Sequence, residues 1–176
     1  SKQHYPADKQ IDFLFVTYGG GHVKMVLPIA EKLIKDGYSV YIFALTTAIK
    51  TLKHTSVPYF SYKDLPYAKN LDVIRQGKIL MKTIEHNNFI EETETISYLG
   101  INFLDLEKQI GKIKTIKLWK KGGRQFFYPI NTMRNLLKDL RPNFVISTNS
   151  PRSEKAVIDA ARLENIKSVC LCDLLV

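Results

Sequence analysis

Ile11-Asp12-Phe13-Leu14-Phe15-Val16-Thr17, followed by Tyr18-Gly19-Gly20-Gly21-His22-Val23-Lys24, decides the fold class of this 176-residue chain. The first seven residues are a short, aromatic and β-branched run that ends at glycines. That is the pattern of a strand buried on both faces, as in a parallel sheet. Beyond the glycines, Val23, Val26, Leu27, Ala30, Leu33 and Ile34 recur at the i, i+3, i+4, i+7 spacing of one buried helical face. Gly37 stops that helix, because glycine tolerates the positive φ of a helix end. Residues 38–45 read as a second strand, so residues 11–45 form a β-α-β unit with a right-handed crossover and parallel strands.

The same alternation returns toward the carboxyl terminus. Met133, Leu136, Leu137 and Leu140 share one helical face, and Arg141-Pro142 ends that helix, since the residue before a proline avoids the α region. Residues 144–147 read as a strand, 154–163 as an alanine-rich helix, 168–171 as a further strand, and 57–62 as a third strand of the first half. The middle, residues 64–123, reads as helix and loop. This alternation predicts an α/β, Rossmann-like three-layer domain with a largely parallel sheet. Residues 1–10 are an amino-terminal extension and 11–176 the domain, with no internal repeat or linker. The chain passes from its last strand straight to Cys172-Asp173-Leu174-Leu175-Val176 with no polar tail, which leads us to expect further protein beyond it.

Composition excludes several classes. An apolar share of 45% is too high for a disordered tail, and 9 Gly with 7 Pro are too few for collagen-like or low-complexity chains. No apolar run approaches the ~18 residues of a membrane-spanning helix. Residues 1–10 are polar and lack the apolar core of a signal peptide, so export is not expected. Cys170 and Cys172 stand two apart on a strand, hence on one face, and read as small buried core residues of a reduced, cytoplasmic protein. They lack the companions a metal site would need, and no metal is expected.

The glycine loop lies where ligands gather in doubly wound sheets, beyond the carboxyl end of a strand. Gly19, Gly20 and Gly21 allow a tight turn and close approach of a ligand to the backbone, and the following helix offers free N–H groups. Two familiar phosphate motifs fail. G-x-G-x-x-G would need glycine at Lys24, and the P-loop is absent, which argues against NAD and ATP chemistry. Pro28 lacks an N–H, which only the first turn of a helix can spare, so hydrogen-bonded helix should begin near Lys24 or Met25. That places His22 in the loop, its ring toward the strand ends, available for acid–base work or substrate contact.

Gly20-Gly21-His22-Val23, with Leu27, Ile29-Ala30, Leu33 and Gly37, resembles the first β-loop-α unit of GT-B glycosyltransferases. It is similar to the lipid-linked peptidoglycan-precursor N-acetylglucosaminyltransferases and to inverting UDP-sugar transferases. Leu140-Arg141-Pro142-Asn143-Phe144-Val145-Ile146 resembles a later strand of those enzymes. The resemblance implies one half of a GT-B fold, the acceptor-binding one, whose nucleotide-sugar domain is not in this chain. It implies that His22 is a general base for the acceptor hydroxyl or a phosphate contact. Gly19–Gly21, with Asn149 and Ser150, would be substrate-binding. No cofactor is implied beyond the donor, a UDP-sugar by analogy. Met25 stands where related loops often have proline, and Ser147-Thr148-Asn149-Ser150 replaces the usual Asp after the strand. Asp173 is then the acidic candidate for a catalytic partner of His22. Val23-Lys24-Met25 followed by Pro28 also echoes the UDP-N-acetylglucosamine 2-epimerases, although the Arg and Glu preceding that motif are replaced here by glycine and histidine.

Lys112, Lys114, Lys117, Lys120, Lys121 and Arg124 fall together without an acidic residue, interleaved with Ile113, Ile116, Leu118 and Trp119. Cations beside apolar and aromatic side chains suit an anionic membrane surface. Lys117, Trp119, Lys120, Lys121 and Arg124 are the expected membrane contacts, on a loop with short flanking helices broken at Gly122-Gly123. Nucleic acid is the competing partner for a chain of net charge +9, but no recognition motif supports it, and it is not expected. Glu85-His86 offers no metal-ligand spacing, and His4 and His54 have no suggestive neighbours. The expected function is transfer of a sugar from a nucleotide donor to a lipid-linked or polysaccharide acceptor, at the inner face of the plasma membrane. Two alternatives stay open: an epimerase-like isomerase, and a non-catalytic subunit that recruits a partner catalytic chain to the membrane.

Overall fold

A computed structural model describes residues 2–85 and 87–172. Five strands, β1 (Phe13–Thr17), β2 (Val40–Ala44), β3 (Tyr59–Phe60), β4 (Phe144–Thr148) and β5 (Lys167–Leu171), form one sheet in the order β3-β2-β1-β4-β5. Every strand pair is parallel. Helices are α1 (Gly21–Lys35), α2 (Ala48–Leu52), α3 (Leu71–Met81), α4 (Glu92–Ile110), α5 (Lys112–Gly122), α6 (Ile130–Leu140) and α7 (Ser153–Leu163). The domain is α/β, Rossmann-like and three-layered.

Strand alternation assigns the layers. Phe15, Ile42, Ala44 and Ile146 pack against Val23, Val26 and Ala30 of α1 and against α2. Leu14, Val16, Phe43 and Val145 face the other way, onto Leu99 and Phe103 of α4, Met133 and Leu137 of α6, and Ala156 and Ala160 of α7. The sheet is therefore covered on both faces, as the continuous apolar run of β1 requires. Chain direction reverses its march across the sheet between β1 and β4, so the crevice at the carboxyl ends of those two strands is the topological switch point.

Several expectations need correction. β3 is two residues long, not six. Helix α1 begins at Gly21, so His22 lies in its first turn rather than in a loop before it. Pro28 sits inside α1, where Lys24 and Pro28 are both exposed and water can take the carbonyl the proline leaves unpaired. The basic stretch is not a loop: residues 112–122 are helical, and Gly122-Gly123 end the helix as expected. Cys170 and Cys172 are exposed, not core, because β5 is an edge strand whose Val169 is itself 46% exposed. The opposite edge is covered: Gln3 bridges to Tyr59, the His4 N–H donates to the Tyr59 carbonyl, and the Tyr5 ring meets Phe60 edge-on. No helix among the described residues is long and apolar enough to cross a membrane.

Candidate functional site

Each glycine of the loop has a different physical reason. A Cβ on Gly19 would fall 1.9 Å from Thr47 Oγ1 and 2.8 Å from the Ala48 nitrogen, so Gly19 lets the loop close onto α2. Gly20 takes φ 67° and ψ −132°, a region that disfavours side chains. Gly21, the first residue of α1, meets open space. Gly19 is thus explained by internal packing, whereas a Cβ at Gly20 or Gly21 would meet no neighbouring atom. The first turn of α1 has neither a side-chain cap nor an acidic residue, so its N–H groups face the crevice unneutralised.

His22 reaches from that first turn across the switch point to β4. Its Nδ1 is 2.6 Å from Thr148 Oγ1, at the carboxyl end of β4. The Thr148 hydroxyl in turn lies 2.7 Å from Glu154 Oε2. Glu154, in the first turn of α7, is wholly buried, and its other oxygen accepts the Tyr18 N–H at 2.9 Å. His22 Nδ1 is also 3.7 Å from Glu154 Oε2. Burial holds the Glu154 carboxyl above its ordinary value, against the Thr148 hydroxyl, the Tyr18 N–H, the His22 ring and the Ser150 N–H, which favour its ionised form.

The relay fixes the histidine tautomer. The Thr148 hydroxyl has one hydrogen, and an ionised Glu154 can only accept, so that hydrogen goes to Glu154. Thr148 Oγ1 must then accept from Nδ1–H of His22, which leaves Nε2 with its lone pair. The His22 side chain is 38% exposed, and Nε2 has no protein partner among the described residues. A neutral imidazole with an outward lone pair, backed by a buried carboxylate through a hydroxyl, can take a proton from a bound hydroxyl group.

Of the residues expected here, Gly19–Gly21 and His22 lie at the carboxyl end of β1, and Asn149 and Ser150 directly follow β4 at the same end of the sheet. The Asn149 N–H donates to the Leu171 carbonyl and the Ser150 N–H to the Thr148 carbonyl, so both serve the loop through their backbones. Asp173 lies outside the described residues. The carboxylate that backs His22 is Glu154, which the sequence reading placed only as the start of an alanine-rich helix. Thr148, Tyr18 and Arg152 were missed as well. The Arg152 Nε donates to the Tyr18 hydroxyl at 3.1 Å, and its guanidinium lies over the Tyr18 ring at 5.2 Å.

The basic helix is joined to this crevice by a wall of rings. Trp119 stacks on Phe127 at 5.7 Å, Phe127 meets Tyr98 at 5.8 Å, and Tyr98 meets Tyr62 at 5.3 Å. The Tyr62 hydroxyl is 2.8 Å from Ser153 Oγ, beside Glu154. Trp119 therefore faces inward, its indole N–H donating to Thr83 Oγ1 at 3.2 Å. The ring expected at a membrane surface is thus half-buried and engaged by its own chain. Thr115, Leu118 and Trp119 form the inner face of α5. The outer face carries Ile113, 72% exposed, and Ile116, with Lys117 and Lys120 beside them. Lys112, Lys114, Lys121 and Arg124 are exposed too, and none of the six cations has an ion-pair partner among the described residues.

No protein-family model matches the chain, and no curated protein matches it. Among solved structures it is similar to the C-terminal domain (residues 78–226) of the PF1911 hydrogenase from Pyrococcus furiosus, with 14% identity and a TM-score of 0.41. That match covers 97% of this chain and 96% of the other. Fold and site accordingly rest on this chain's own geometry.

Proposed function

We propose that this chain is the acceptor-binding half of a GT-B glycosyltransferase, working on a lipid-linked or polysaccharide acceptor with a nucleotide-sugar donor held by a second domain or partner subunit. The observation that carries this reading is the His22–Thr148–Glu154 relay at the switch point, with Nε2 of His22 free toward the crevice. In the proposed reaction Nε2 takes the acceptor hydroxyl proton as that oxygen bonds to the anomeric carbon. The bond from that carbon to the nucleoside diphosphate breaks, and the diphosphate leaves with the electron pair. The imidazolium so formed is stabilised through Thr148 by the Glu154 charge. The outer face of α5, cationic with two exposed isoleucines, is the proposed contact with an anionic leaflet, which suits a lipid-borne acceptor.

The test uses the complete protein with UDP-, GDP- and dTDP-sugars and follows nucleotide release and product stereochemistry. We expect His22→Ala to lower kcat by about 10²–10⁴-fold, the range for a lost general base. Unchanged turnover would remove His22 from the chemistry.

A further inference from the structure

We infer that Arg152 receives a phosphoryl oxygen of a diphosphate-bearing substrate at this crevice, with Tyr18 as the residue that positions it; the inference rests on the function proposed above. Arg152 connects β4 to α7 with φ 66° and ψ −119°. Glycine adopts that conformation freely, whereas a side chain there is strained. It differs from Arg141, which sits in the ordinary left-handed well at φ 44° and ψ 53°. If only the turn mattered, glycine would serve it better, so the side chain must have a use.

Its protein contacts do not supply that use. The guanidinium is anchored on one side, by Nε on the Tyr18 hydroxyl and by the ring beneath it. The two terminal amino groups have no partner among the described residues, and Arg152 is only half-buried. Glu154, whose charge acts on Arg152, has both oxygens occupied, by the Tyr18 N–H and the Thr148 hydroxyl. Thus a preoriented, unpaired fork stands beside the crevice that His22 enters from the other side. A guanidinium fork matches phosphate oxygens two at a time. A neutral hydroxyl would not need it, whereas a diphosphate, on a nucleotide or on a polyprenyl lipid, would.

The test is calorimetric titration of the whole chain with inorganic pyrophosphate, then with UDP and with farnesyl diphosphate. We expect Arg152→Gly to bind pyrophosphate about tenfold more weakly or worse, with Arg152→Lys in between. Arg152→Gly should keep or raise Tm, since it relieves the backbone. A parallel loss for UDP assigns the site to the nucleotide, and a parallel loss for farnesyl diphosphate assigns it to the lipid. Equal pyrophosphate affinity in native protein and Arg152→Gly overturns the inference, as does the lack of saturable binding by the native chain. Because no sugar donor is present, these outcomes are read independently of glycosyl transfer.

Discussion

The Thr148 hydroxyl sits between an acceptor-only carboxylate and an imidazole, and one hydrogen cannot serve both in the same sense. This makes the tautomer of His22 a property of residue 154. Glu154→Gln keeps size and shape, and its orientation is forced, because the Tyr18 N–H needs an oxygen opposite it. The amide NH₂ would then point at Thr148 Oγ1 and donate, the hydroxyl hydrogen would turn to Nδ1, and the proton on His22 would move to Nε2. We expect nitrogen NMR of the histidine ring to show Nδ1–H in the native chain and Nε2–H in Glu154→Gln, with Tm nearly unchanged. In the complete enzyme the variant should lose most of the general-base contribution, about 10²-fold or more in kcat. Observation of the same tautomer in both proteins would break the relay argument. His22 was legible from its place after three glycines at a strand end. Glu154 was not, because an acid in a helix's first turn ordinarily caps that turn in water, and only the packing of Tyr18 and α7 around it shows that it is wholly buried.

At the scale of elements, α4 is tied to the end of β3 by a second buried acid. Glu94 Oε2 accepts the Ser61 hydroxyl at 2.7 Å and the Lys63 N–H at 2.9 Å, while Oε1 accepts the Tyr62 N–H at 3.1 Å. Burial nevertheless pushes its carboxyl up to about 7, with the nearby Asp64 charge adding to the rise. Between pH 4.5 and about 7 the folded chain therefore holds a proton that the unfolded chain has released. Stability attributable to Glu94 falls as pH rises through that window, by up to about 3 kcal/mol. The raised carboxyl of Glu154 acts in the same direction. Urea midpoints should decline from pH 5 to pH 8 in the native chain, and Glu94→Gln should flatten the decline. A slope identical in the two proteins would show that Glu94 stays ionised throughout. Strands β1, β2 and β4 were legible as short continuous runs buried on both faces, and α1, α6 and α7 because each buries one periodic stripe. The segment from β3 to α5 was not, since α4 buries Glu94, Ser97, Asn102 and Asp105 along with its apolar residues, which blurs its stripe.

The whole molecule carries its charge unevenly. Of a formal net +9, α5 and the turn after it hold six cations that pair with no acid among the described residues. Helical geometry sorts what sequence alone mixed: Trp119 turns in to hold α5 on Phe127 and Phe103, and Ile113 and Ile116 turn out among the lysines. An outer face of this kind combines the two terms that hold a helix in a lipid interface, shallow apolar insertion and headgroup attraction. Each cation near an anionic surface contributes about 1 kcal/mol, and that attraction weakens with salt. Co-sedimentation should therefore capture the chain on vesicles containing phosphatidylglycerol, release it as salt is raised, and leave it unbound on phosphatidylcholine alone. Lys117→Glu with Lys120→Glu should abolish capture without shifting Tm, because both side chains are exposed and pair with no acid among the described residues. Ile113→Ser should weaken capture while leaving its salt dependence intact, separating insertion from attraction. Equal binding to neutral vesicles would exclude the electrostatic docking that α5 is proposed to provide. Retained capture by the double charge reversal would move the contact to another face of the domain.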